Sequence, residues 1–282
     1  MYGRPVGSDY VEHLTDKDLE VLAEAAGVPA RPSELRTAPG QVPALFDRPE
    51  VFFAVLAPGR EPVLAVSPFM VFAAVVHRAA AELASASHVV ERAGARDKVP
   101  VFDGPQLAAF LESQARRLFL AELLASFARV ASGHYRVRTA KGWRAVRFNE
   151  LDPVQLVGLI DSIRAEERPG AYRRLGDVAL FLTGVFPDYA RKRSLGPFDA
   201  ARLRRAAGLG PEGEGDLVEG SAIELFEQLG MRWYRQACEL APTHSARLAV
   251  VDEVAARFRQ ARRALNFMAD RYLFPAGNPW FA

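Results

Sequence analysis

Cysteine occurs once in this chain of 282 residues, as Cys238, so neither an intramolecular disulfide nor a cysteine-rich metal site can be built. Lysine is nearly as scarce, with Lys17, Lys98, Lys141 and Lys192 set against 32 arginines. Long apolar runs are missing too. The longest, Val63 to Val76, covers about 14 residues and is interrupted by Ser67, whereas a membrane-spanning helix needs roughly 20. The N-terminal region carries Asp9, Glu12, Asp16, Asp18, Glu20 and Glu24 in place of the basic and then apolar pattern of a secretory signal. Together these gaps lead us to expect a cytoplasmic protein with no membrane partner. Walker A, GxGxxG, HExxH, GxSxG and CxxC motifs are all absent, so no local spacing declares a mechanism or implies a cofactor.

What the chain does contain is apolar residues in half its positions, enough for a sizeable core. Arginine and alanine dominate, as expected of a GC-rich bacterial coding sequence, and that bias weakens any step from an arginine cluster to phosphate binding. Net charge is only +2 but alternates along the chain. It runs −4 over 1–66, +1 over 67–133, +7 over 134–205, −5 over 206–242 and +3 over 243–282. Such blocks suit docking within the molecule or between subunits as readily as an external polyanion.

The patterning predicts an all-α protein: a multi-helix bundle of roughly eight to ten helices with one inserted β-hairpin near 134–148. Residues 1–66, rich in proline after Val28, read as an N-terminal wrapping segment, and 67–282 as a helical core with a flexible glycine-rich loop near 208–216. Ser67-Pro68 starts an almost wholly apolar helix, and Asp103-Gly104-Pro105 starts another expected to reach Val130. Tyr135, Val137 and Thr139 alternate with Arg136 and Arg138 before Lys141-Gly142 turns the chain, which is hairpin chemistry. A last, long helix from Thr243 carries Leu248, Val251, Phe258, Leu265 and Tyr272 on one seam, with Arg262 where an apolar residue is expected.

Candidate sites follow from these elements. Of five histidines, His13, His77, His88, His134 and His244, only His88 has a carboxylate at ligand spacing, Glu91, so no metal is expected, and His77 reads as a packed core histidine. Asp177, inside an apolar run, is costly to bury unpaired. Arg173 and Arg174 supply a local ion pair, or else Asp177 and Tyr172 face a small-molecule cavity. Arg136, Arg138, Trp143, Arg144 and Arg147 mix basic groups with aromatic surface in the manner of a nucleic-acid or partner-binding element. The C-terminal seam, with Trp280 and Phe281 beyond it, could serve a homo-oligomer or a protein partner. The expected role is a non-catalytic binding or interaction protein, with a small-molecule enzyme or carrier around Asp177 and nucleic-acid binding through 134–205 as the alternatives.

Overall fold

The computed structural model describes residues 6–56, 66–92, 98–130, 132–139, 142–160, 162–192, 195–210 and 222–274. Among them are fifteen α-helices and two antiparallel two-stranded sheets, so the protein is mainly α with a small inserted hairpin. The chain divides into two compact units, Met1–Ala128 with Phe267–Ala282, and Arg129–Asn266. Position 66, the expected boundary, lies within the first of them.

The first unit holds α1 (Val6–His13), α2 (Asp16–Ala25), α3 (Pro32–Thr37), α4 (Val42–Phe46) and α5 (Pro49–Leu56), then α6 (Pro68–Leu83). The ribbon of β1 (Val89–Arg92) and β2 (Lys98–Val101) follows, and then α7 (Gly104–Leu111) and α8 (Gln114–Ser126). Helix α6 begins where Ser67 Oγ accepts from Met70 N at 3.2 Å and Pro68 fills the first turn. It buries Phe69, Met70, Ala73, Val75 and Val76. Asp18 is fully buried yet satisfied: its carboxylate accepts from Thr15 N at 2.8 Å in a capping box and from Ser67 N at 2.7 Å, joining the starts of α2 and α6.

Several arginines here close helix ends. Arg36 donates to the carbonyls of Val11 and Leu14, Arg48 to that of Ala26, and Arg116 to those of Phe110 and Ala109, the last two at 2.6 and 3.1 Å. A guanidinium at a helix C-terminus satisfies orphan carbonyls and meets the negative end of the dipole.

The second unit opens with β3 (Ser132–Thr139) and β4 (Gly142–Asn149), followed by α9 (Pro153–Ile160), α10 (Arg168–Val185), α11 (Pro187–Lys192) and α12 (Pro197–Ala206). Helices α13 (Ala222–Leu240), α14 (Ala246–Ala256) and α15 (Phe258–Met268) complete it, the unit boundary falling inside α15. Helices approach closely where glycines face rings: a Cβ on Gly176 of α10 would lie 2.4 Å from the Tyr234 ring of α13, and one on Gly230 of α13 2.4 Å from the Phe258 ring of α15.

Helices are more numerous and shorter than periodicity predicts. The expected helix from Asp103 to Val130 is α7 and α8, divided where Ser113 Oγ accepts from Arg116 N and starts a new helix. The long final helix breaks at Arg257, whose φ of −121° and ψ of 34° leave the helical region, and a π turn at Ala269–Leu273 follows α15. The antiparallel β1–β2 pair adds a second small sheet to the expected hairpin.

Candidate functional site

Strands β3 and β4 pair residue for residue from Ser132↔Asn149 to Thr139↔Gly142. Gly142, with φ of 112°, takes a conformation that L side chains rarely adopt. Directly paired residues share a face, and faces alternate along each strand. The register therefore places His134, Arg136, Arg138, Trp143 and Arg147 on one face, with Ala145 opposite Arg136. Gly133, Tyr135, Val137, Val146 and Phe148 share the other with Arg144, so four of the five basic and aromatic candidates come together and Arg144 stands apart. Ser132, His134, Ala145, Arg147 and Asn149 of the first face are exposed, whereas Gly133 and Phe148 of the second are half-buried. The described residues of the basic face are thus all exposed.

The base of this ribbon is fixed. Asn149 N donates to Gln155 Oε1 at 2.8 Å, and Asp152 Oδ1 caps α9 by accepting from Val154 N at 3.0 Å. Arg174 Nε donates to Glu150 at 2.6 Å, so this arginine ties the end of β4 to α10. Helix α9 also packs against α12, which carries Phe198, 92% exposed, with exposed Arg202 and Arg205 on the same stripe.

Two networks of titratable groups lie in the interior. In the second unit, Tyr234 OH donates to Asp177 Oδ1 at 2.8 Å; the tyrosine is 0% exposed and the aspartate 8%. Burial pushes the Tyr234 hydroxyl well above its ordinary range, and the adjacent carboxylate adds to this. Tyr172 and Arg173 are half-buried. Nearby, Arg262 is ion-paired with Glu227 and donates to Asn266 Oδ1 at 2.8 Å, while Asn266 Nδ2 donates to the carbonyls of Thr183 and Gly184 at the end of α10. The arginine on the seam thus holds Asn266, and Asn266 closes the helix end.

In the first unit, His77, 1% exposed, lies with Nδ1 2.7 Å from Asp47 Oδ1 and Nε2 2.9 Å from Tyr10 OH. A carboxylate only accepts, so Nδ1 carries the proton and Nε2 accepts from the tyrosine, an assignment made from the network. Arg117 Nη1 donates to the same Asp47 oxygen at 2.6 Å. Burial holds His77 below its ordinary value of 6.5, against the pull of Asp47. Burial also raises Tyr10, whereas the hydrogen bond from His77 and the charge of Arg117 outweigh burial at Asp47 and hold it down. The order Tyr, His, Asp is the logic of a catalytic triad, but Tyr10 is 0% exposed.

No family model, curated protein or solved structure matches this chain. Its own geometry carries the functional argument.

The remaining candidates fall as follows. Val251, Phe258 and Leu265 of the seam are buried in the second unit, and Leu248 is half-buried. Tyr272 stacks on Phe52 with ring centroids 5.1 Å apart, within the first unit. Trp280, Phe281 and most of the 208–216 loop lie outside the described residues. Burial pushes the Cys238 thiol up, and it donates to the Leu248 carbonyl at 3.6 Å, both of which disfavour a nucleophile. His88 is exposed and stacks on Phe102. Among the described residues no helix is long and apolar enough to cross a membrane.

Proposed function

We propose that this is a binding protein, and that the basic face of the β3–β4 hairpin is its binding surface for an anionic macromolecule. The observation that carries the reading is the register, which gathers His134, Arg136, Arg138, Trp143 and Arg147 on the face whose described residues are exposed. Guanidinium groups supply charge-assisted hydrogen bonds to phosphate or carboxylate, and an aromatic ring among them adds stacking surface. Catalysis is disfavoured by burial: Tyr10 and His77 in one unit, and Tyr234 and Asp177 in the other, are closed to a reactant.

The test is salt elution from immobilised heparin of the wild type and of the triple variant Arg136→Ala, Arg138→Ala, Arg147→Ala. Retention that weakens steeply with salt and drops in the triple variant is expected, because each phosphate- or sulfate-like contact adds to the salt dependence. Equal elution of the two proteins would remove the hairpin from the reading, and no retention at low salt would end the reading itself.

A further inference from the structure

From the placement of three arginines, a histidine and a tryptophan on one face of a two-stranded ribbon held at its base, we propose that β3–β4 enters the major groove of duplex DNA. The inference rests on the anion-binding reading above and names the partner of that same surface.

Shape is the first argument. Paired strands lie about 4.8 Å apart, and the B-DNA major groove, about 12 Å wide, admits a two-stranded ribbon with its side chains. Each strand has eight residues, so the ribbon reaches about 26 Å at roughly 3.3 Å per residue. Its base is pinned through Asn149, Glu150 and Asp152 to α9 and α10, which lets it be inserted as a rigid element. On the opposite face Phe148, near the base, is half-buried.

Chemistry is the second. Arginine reads guanine by donating to O6 and N7 together, and Arg136, Arg138 and Arg147 share the face that would meet base edges. Small Ala145 between them lets the backbone approach. Single strands are gripped by successive aromatic platforms, and Trp143 is the one large ring on this face, so a duplex fits better. Duplex RNA is a poor match because its major groove is deep and narrow. Arg202 and Arg205 are exposed on α12, which packs on the same helix, α9, that β4 contacts, and they suit flanking phosphates.

Fluorescence anisotropy of the full chain with labelled duplex DNA, duplex RNA of the same sequence, and single-stranded DNA tests this. Duplex DNA is expected to bind at least roughly tenfold more tightly than either of the others. Ala145→Glu, at an exposed position, is expected to abolish duplex binding while circular dichroism and unfolding midpoint stay at wild type, and Ala145→Gln to retain most of it. Arg202→Ala with Arg205→Ala is expected to lower the salt slope by about 0.9 for each phosphate no longer neutralised. Equal affinity for duplex RNA or single-stranded DNA, or duplex binding indifferent to Ala145→Glu, overturns groove insertion and leaves the anion-binding reading standing. Retention on heparin with no binding to any nucleic acid likewise overturns this inference alone, whereas loss of heparin retention as well removes both.

Discussion

Each unit buries a tyrosine completely and gives its hydroxyl a partner, but the two partners differ in kind. Tyr10 donates to neutral His77, and the chain continues through Asp47, 47% exposed at its side chain, to Arg117, so the network leads from the core to solvent. Tyr234 donates straight to Asp177, a carboxylate that is 8% exposed. The same buried phenol therefore meets a graded, titratable path in the first unit and a buried carboxylate directly in the second. A hydrogen bond to a charged group contributes about 1.5–3 kcal/mol and one between neutral groups about 0.5–1.5, so the second unit has more at stake in single side chains.

The largest expected effect lies in the interior of the second unit. Glu227→Ala leaves the Arg262 guanidinium, 6% exposed, facing the space its carboxylate partner filled, and breaking a buried pair this way costs about 3–5 kcal/mol. Urea unfolding measures it. A loss below about 1 kcal/mol would place the pair with solvent-screened surface ion pairs and weaken the contrast between the units.

Next comes Tyr234→Phe, which keeps the ring against Gly176 and removes only the hydroxyl that donates to Asp177. Stability should fall by about 1.5–3 kcal/mol in the same urea experiment. An unchanged midpoint would mean that the other groups around Asp177, Arg173 among them, already satisfy it.

The arginine at position 262 shows how far the sequence could be read. Its place on an apolar seam marked it as anomalous and Asn266 stands one turn on, but its ion-pair partner Glu227 and the Thr183 and Gly184 carbonyls that Asn266 meets lie far away in sequence, where no local spacing exposes them. The hairpin was legible because alternation and a turn glycine are local signals, and once the register is fixed the faces follow. The Tyr10–His77–Asp47–Arg117 network was not, since it is assembled from four helices, α1, α6, α8 and the end of α4, and the only trace in the sequence is a histidine within an apolar helix. Helix breaks at Ser113 and Arg257 were hidden because heptad-like spacing runs straight across them.

Titration sharpens the contrast from another side. His77 is held below its ordinary 6.5, so its contribution is present above that value and is lost as pH falls from 6.5 toward the depressed folded value. Tyr10 and Tyr234 are both raised, so each contributes below 10.0 and loses that contribution as pH climbs past it. Alkaline loss is thus shared, while acid loss near 6.5 belongs to the histidine of the first unit. Unfolding midpoints of wild type and His77→Gln between about pH 7.5 and 5.5 should converge as pH falls, at no more than about 1.4 kcal/mol per unit. Parallel curves would show that His77 does not titrate with folding.

The smallest change is expected from Tyr10→Phe, because the hydrogen bond it removes joins two neutral groups and Asp47 and Arg117 keep their mutual contact. Its cost should be about 0.5–1.5 kcal/mol, below that of Tyr234→Phe measured side by side. A cost equal to or above that of Tyr234→Phe would break the comparison. It would mean that the buried phenol, rather than the half-exposed carboxylate, fixes the orientation of His77, and that the first unit depends on the inner end of its path to solvent as strongly as the second depends on its buried pair.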